Sequence, residues 1–177
     1  IRRQRQMCIR DSYTEYDGSY GWQVYPSSAN VRLNFVSGSP LSEENPHYMR
    51  VVTLENDVGF SNKAYEGIYL RKDIGYKVTF FARCVNFSGD FSIFIEKNGF
   101  HYAEATLSSQ DSIEGTYNYF KKYEVIIRAK ETVEGAKFVI CLSTSGIVEF
   151  DFISMFPQDA VAGIFRKDLF DKLKDLA

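Results

Sequence analysis

The chain has few of the residues that nucleophilic, metal and nucleotide chemistry require. Its 177 residues include two histidines, three cysteines and one tryptophan. The histidines, His47 and His101, are distant in sequence, and neither accompanies a Gly-flanked serine or a reactive cysteine motif. Zinc would need three or four clustered His, Cys or acidic ligands, which two distant histidines do not supply. Phosphate binding would need a Gly-rich loop that opens a helix, and the sequence has no such loop. We therefore predict that this chain has no catalytic apparatus of its own.

Long apolar runs and an excess of basic residues are also missing. No stretch of about 18 apolar residues is present, which argues against a membrane-spanning helix. Lys and Arg total 21 and Asp and Glu total 23, so the net charge is -2. Nucleic-acid binding requires an excess of basic residues on one surface, and this composition gives no such excess. We expect neither nucleic acid nor membrane as a partner, and a neutral ligand fits better.

The first twelve residues differ from the rest of the chain. They contain four arginines, and the string RRQRQMCIRD resembles the translation of a transposase-type DNA-sequencing adapter. We expect residues 1–12 to be such an artefact, with a natural basic tail as the alternative. A domain over 13–157 and a linker with a first helix over 158–177 are expected to follow. An export signal would lie in the replaced segment.

Alternating aromatic and polar residues predict an all-β fold. Aromatic residues make up 16% of the chain, and their large flat side chains suit strands. Asn98-Gly99 between two alternating segments predicts a type I′ hairpin, because both central residues need positive φ. Nine strands without an intervening helix predict an antiparallel β-sandwich of the jelly-roll, galactose-binding-like type. The predicted strands cover residues 31–36, 47–54, 64–71, 76–85, 91–97, 100–107, 119–128, 136–144 and 147–156.

Two further patterns complete the fold prediction. Cys84 and Cys141 lie in the middle of predicted apolar strands, which favours buried free thiols over a disulfide. Apolar residues recur every three or four positions over 163–177, with Lys and Asp between them. This spacing predicts a short C-terminal amphipathic helix.

The second faces of several predicted strands mix aromatic with hydrogen-bonding side chains. Phe94 and Glu96 share one such face, and Tyr102 and Glu104 share another. If these strands lie in one sheet, they line a single surface suited to the apolar C–H faces and hydroxyls of a sugar. Ordinary core packing is the alternative for each aromatic residue. The candidate carbohydrate-binding residues are Trp22, Tyr69, Arg71, Phe81, Arg83, Phe94, Glu96, Tyr102 and Glu104.

The C-terminal residues resemble a domain junction in a known enzyme family. The segments FDFISMFPQD at 150–159 and GIFRKDL at 163–169 are similar to the junction in bacterial glycoside hydrolase family 51, the α-L-arabinofuranosidases. There a carbohydrate-binding module similar to families 4 and 9 leads into the catalytic barrel. The similarity extends upstream over residues 13–177. Two positions depart from the family pattern: Phe120 stands where Trp is frequent, and Ala160 replaces the usual Thr.

The resemblance implies a carbohydrate-binding-like domain over 13–157, which would be a non-catalytic module of a secreted or periplasmic bacterial α-L-arabinofuranosidase. The module would bind plant cell-wall polysaccharide such as arabinoxylan or arabinan, and the catalytic glutamates would lie in a missing barrel beyond Ala177. The alternative is a structural accessory domain that packs on the barrel and shapes its cleft without binding glycan. The resemblance also implies a structural Ca²⁺, with Asp151 and Glu15 among the six to eight oxygen ligands that calcium takes.

Overall fold

The computed structural model describes residues 21–113 and 118–160. These residues form eleven β-strands, since two-residue alternation with frequent β-branched and aromatic side chains suits a pleated sheet. Within these two ranges, no helix is long and apolar enough to cross a membrane. The strands are β1 Trp22–Tyr25, β2 Val31–Ser42, β3 Asn45–Thr53, β4 Val58–Asn62, β5 Ile68–Leu70, β6 Gly75–Asn86, β7 Asp90–Lys97, β8 Phe100–Ser108, β9 Lys121–Arg128, β10 Val133–Leu142 and β11 Gly146–Pro157.

The strands form two antiparallel sheets. Sheet A has the strand order β1-β4-β10-β7-β8, and β5 pairs with one end of β10. Sheet B has the order β2-β3-β11-β6-β9. The predicted all-β sandwich is thereby confirmed. The predicted helix over 163–177 and the segment 1–12 lie outside the described residues.

The core between the sheets is rich in aromatic rings. Phe80 stacks on Tyr123 with ring centroids 5.2 Å apart, and Phe60 meets Phe150 edge to face at 5.0 Å. Burial of each such side chain stabilises the fold by about 1.5–3 kcal/mol. Trp22 belongs to this core, because it is 9% exposed and its ring contacts Phe60 edge to face. Its prediction as a carbohydrate-binding residue is therefore corrected: the alternation of β1 turns Trp22 inward.

The hairpin between β7 and β8 has the predicted turn. Asn98 and Gly99 both have positive φ, 53° and 80°, as a type I′ turn requires. Because this tight turn sets the pairing of two strands, it also determines which side chains meet on the outer face of sheet A.

Candidate functional site

The outer face of sheet A, turned away from sheet B, carries alternate residues of each strand. The odd-numbered apolar residues of β7 enter the core, so Phe94 and Glu96 take the outer face. Phe94 lies opposite Val139 of β10 and Glu104 of β8. Three of the predicted binding residues, Phe94, Glu96 and Glu104, are therefore neighbours on one surface.

A depression of about 400 Å³ opens on this outer face. Gly59 lies in register between Tyr25 and Cys141, two residues that line the depression. A Cβ at Gly59 would lie 2.0 Å from the carbonyl oxygen of Ile140, so no side chain fits at this position. The walls combine aromatic rings with carboxyl and hydroxyl groups. They include Tyr25, Asp57, Ser92, Phe94, His101, Glu104 and Thr106.

Three rings form the aromatic part of the depression. Phe94 and His101 stack face to face, with centroids 4.1 Å apart and planes at 16°. Tyr25 meets Phe94 edge to face at 5.6 Å. Phe94 is 7% exposed, whereas the side chain of His101 is 38% exposed. Sequence reasoning missed His101, because a single histidine in a strand resembles an ordinary surface residue.

A register shift between β7 and β8 explains why His101 lies here. Ile95 pairs with Ala103, but Glu96 pairs with His101, so Tyr102 is the additional residue of a β-bulge. Tyr102 packs against the core instead. Its predicted position on the outer face is wrong, because strict alternation fails at the bulge.

Glu104 connects the histidine ring to a lysine at the rim of the depression. Nδ1 of His101 lies 3.1 Å from Oε2 of Glu104, and Oε1 accepts a hydrogen bond from Nζ of Lys130. The hydrogen bond from Lys130 is the main cause that lowers the pKa of Glu104, and the hydrogen bond from His101 lowers it further. Glu104 is therefore an ionised, partly exposed acceptor beside the exposed imidazole.

Glu96 organises the neighbouring edge of the depression. Its Oε1 accepts a hydrogen bond from the Gly99 N–H at 2.6 Å, and Nζ of Lys137 lies 2.9 Å from its Oε2. Burial raises the pKa of Glu96, but the bonds from Gly99 and Lys137 and the nearby His101 together bring it below its ordinary value. Nζ of Lys137 also lies 4.8 Å from the ring centroid of Tyr25. Glu96 thus positions the turn at Gly99 and the ammonium group of Lys137 at the edge of the depression.

The outer face of sheet B has a different composition. Glu149 in β11 pairs in register with Arg50 in β3 and Arg83 in β6. Nε of Arg50 donates to Oε1 of Glu149 at 2.8 Å, and Nε of Arg83 donates to Oε2 at 2.5 Å. The side chain of Glu149 is 1% exposed, so two guanidinium groups compensate one buried carboxylate.

Arg83 also bonds to the backbone of β2 and to the segment before β9. Its Nη1 donates to the carbonyl oxygens of Ser39 and Asn118, and its Nη2 donates to the hydroxyl of Tyr48. The guanidinium carbon lies 4.4 Å from the ring centroid of Phe120. With the bond to the carboxylate, four of the five N–H groups of Arg83 are used within the chain.

The predicted binding residues do not share one surface. Phe81 lies on the outer face of sheet B, where its ring centroid is 6.3 Å from that of Phe152. Tyr69 and Arg71 lie in and next to β5, beside the end of β10 remote from the depression. Nη2 of Arg71 forms an ion pair with Asp159. The expected single surface is thus divided among three places, because sequence does not assign strands to sheets.

Asp151 is a buried carboxyl group on β11. Its Oδ1 accepts a hydrogen bond from the Phe152 N–H at 2.8 Å, and its Oδ2 has no partner among the described residues. Burial raises the pKa of Asp151 to about 7, and the bond from Phe152 only partly opposes this. The unpartnered oxygen fits one ligand of a cation. Within 21–113 and 118–160 no three His, Cys, Asp or Glu residues form a metal site, and Glu15 lies outside these ranges.

Two curated plant proteins are similar in sequence to this chain. One is alpha-L-arabinofuranosidase 2 of Arabidopsis thaliana, which is 32% identical over 126 residues, or 67% of this chain. The other is alpha-L-arabinofuranosidase 1 of the same organism, which is 29% identical over 122 residues, again 67% of this chain. The chain spans only 18% and 17% of the lengths of these two relatives. No protein-family model matches the chain.

Solved structures share the sandwich at low sequence identity. The CBM22-1 xylan-binding domain of Paenibacillus barcinonensis Xyn10C aligns with a TM-score of 0.51 and 11% identity, over 80% of this chain and 88% of that one. The Stig cyclase Fisc of Fischerella sp. TAU aligns with a TM-score of 0.57 and 11% identity, over 88% and 95%. Because a binding domain and a cyclase share this fold, the similarity establishes the architecture, and function has to be argued from the site.

Proposed function

We propose that this chain is a non-catalytic carbohydrate-binding module and that its site is the depression on the outer face of sheet A. The observation that carries the proposal is the combination of stacked rings with exposed hydrogen-bonding groups in one depression. Phe94 and His101 supply the rings, and Asp57, Glu104 and Thr106 supply oxygens at its walls. A sugar needs both, because its ring has apolar C–H faces and a rim of hydroxyls.

The ligand class that we propose is plant cell-wall polysaccharide, in particular arabinoxylan or arabinan. The Arabidopsis relatives named α-L-arabinofuranosidases and the fold shared with a xylan-binding domain support this class. We further propose that the longer protein is an α-L-arabinofuranosidase whose catalytic barrel follows this module. One stacked sugar face with a few hydrogen bonds suggests dissociation constants on the order of micromolar to millimolar.

A structural Ca²⁺ remains part of the proposal. Asp151 would supply one carboxylate oxygen, and Glu15 is the second expected ligand. The partnerless buried Oδ2 of Asp151 supports this assignment, since an ionised carboxylate in this position needs a compensating charge. Calcium bound there would stabilise the sandwich and would take no part in sugar recognition.

Affinity gel electrophoresis of the full chain against arabinoxylan, arabinan, xylan and β-glucan tests the function. We expect arabinoxylan or arabinan to retard the wild-type chain, and we expect Phe94→Ala to abolish the retardation. Phe81→Ala on the outer face of sheet B is the matched control and should migrate like the wild type. Thermal melts of both variants identify any loss of binding that comes from unfolding.

Two outcomes would contradict the proposal. If no polymer retards the wild-type chain, the structural accessory role becomes the better explanation. If Phe81→Ala abolishes retardation while Phe94→Ala does not, the module binds glycan on sheet B.

A further inference from the structure

The ring of Phe94 offers little surface to a ligand. It is 7% exposed, since His101 covers one of its faces at 4.1 Å and Tyr25 approaches it edge to face. Val139, its neighbour in β10, is fully buried on the same outer face. A sugar that entered the depression would therefore meet only a small part of Phe94.

The imidazole of His101 has the opposite exposure. One face lies on Phe94 with the two planes at 16°, and the side chain as a whole is 38% exposed. The face turned away from Phe94 is thus a flat aromatic surface in the wall of the depression. We propose that the sugar stacks on His101, and that Phe94 supports the imidazole from behind. This inference rests on the proposed function and names the ring that contacts the ligand.

The surroundings of His101 hold its ring in a defined plane. The bulge of β8 brings the residue onto the outer face, and Oε2 of Glu104 lies 3.1 Å from Nδ1. Lys130 in turn holds Glu104, and Glu96 with its partner Lys137 lies beside the ring in register. Such preorganisation lowers the entropic cost of binding, because the aromatic surface is already in place before the ligand arrives.

The geometry suits the C–H face of a sugar. A planar ring buried on one side and open on the other can accept one flat apolar face, and the hydroxyl rim can then reach Glu104 and Thr106 on the same strand. Removal of the imidazole should expose the ring of Phe94, which lies deeper in the depression than the imidazole by about the thickness of one aromatic ring. The sugar would lose van der Waals contact at its C–H face and would also lose the polar partners set at the original depth.

The test compares three variants by isothermal titration with oligosaccharides of whichever polymer retards the wild-type chain. We expect His101→Ala to weaken binding about tenfold or more, which corresponds to about 1.4 kcal/mol. His101→Phe keeps a planar ring and should bind within about threefold of the wild type. His47→Ala, at the other histidine of the chain, should leave affinity unchanged.

A direct measurement accompanies the titrations. The ring-proton NMR resonances of His101 should shift on addition of the oligosaccharide, and those of His47 should not. Unchanged affinity in His101→Ala would overturn the proposal, as would an equal loss in His101→Phe, because imidazole hydrogen bonding would then replace stacking. Failure of the wild-type chain to bind any polymer would refute the proposed function itself, so the two failures are distinguishable.

Discussion

The outer faces of the two sheets contain the same kinds of residue but differ in how far their polar groups are exposed. Both mix aromatic rings with charged groups, yet on sheet B the ions are paired around a buried carboxylate and also bond to backbone carbonyl oxygens. Arg83 there donates four hydrogen bonds within the chain, and the carboxylate of Glu149 is almost fully buried. On sheet A, Glu104 and His101 remain partly exposed beside a depression. A polar and aromatic face indicates binding only where its hydrogen-bonding capacity is still available.

The largest expected loss of stability comes from breaking the buried ion-pair network on sheet B. Arg83→Met leaves Glu149 with one guanidinium partner and removes the hydrogen bonds to the carbonyl oxygens of Ser39 and Asn118. We expect the free energy of unfolding to fall by about 3 kcal/mol, as is typical when one partner of a buried ion pair is removed. Urea denaturation measures the loss.

Lys77→Met, on the same strand as Arg83, is the control for this prediction. Lys77→Met removes an exposed cation whose Nζ lies 3.6 Å from Glu124, so stability should change by less than about 1 kcal/mol. Folded Arg83→Met should still bind glycan, because the sheet A depression is untouched. A similar stability loss in both variants would mean that the buried network contributes no more to stability than an exposed ion pair does.

The next expected effect is a gain in stability and concerns the carboxyl group of Asp151. Its pKa is about 7 in the folded chain against 3.8 for the ordinary group, so the folded state holds this proton more tightly than the unfolded state does. Ionisation therefore destabilises the fold, and stability falls as pH rises from about 4 to 7. With chelator present, Asp151→Asn should raise the free energy of unfolding at pH 8 by up to about 4 kcal/mol.

The pH series supplies the check on Asp151. The gain from Asp151→Asn should shrink as the pH falls from 7 towards the ordinary pKa of 3.8, below which Asp151 is protonated in both states, and urea denaturation across this range measures it. Added Ca²⁺ should stabilise the wild type and not Asp151→Asn if the proposed cation site exists. A variant less stable than the wild type at every pH, even with chelator, would contradict the assignment of a costly buried charge.

The smallest expected effect comes from removing the charge of Glu104 on sheet A. Glu104→Gln weakens the hold on His101 and removes the ion pair with Lys130. We expect affinity for the oligosaccharide to fall by about two- to fivefold, or up to about 1 kcal/mol. Glu124→Gln, an equivalent change on sheet B, should leave affinity unchanged in the same titration. An equal loss in both would point to net charge instead of local geometry.

Much of the fold was predictable because its signal is local. Alternation located most strands, and Asn98-Gly99 identified the β7–β8 hairpin. Strands β1 and β4 were missed, since they are only four and five residues long and β4 contains Gly59. The predicted strand over 64–71 shrinks to the three residues of β5, because Ala64 and Gly67 have positive φ and form a turn.

The site was less predictable, because it depends on pairings distant in sequence. Phe94, Glu96 and Glu104 came from simple alternation, and the structure brings them together. Assigning Phe81 and Arg83 to the same surface failed, since β6 and β7 are neighbours in sequence but belong to different sheets. The stack of His101 on Phe94 had no sequence signal, because it follows from a bulge that alternation does not anticipate.

The bulge in β8 makes the ligand surface sensitive to insertions and deletions. Tyr102 is the additional residue of this strand, so a chain shortened by one residue at His101 could restore regular pairing and bring Tyr102 opposite Glu96. A phenol ring would then replace the imidazole on Phe94 while the other strands kept their register. Length variation at this one point would thus exchange the aromatic group that meets the ligand, a route to altered specificity that needs no substitution in the site.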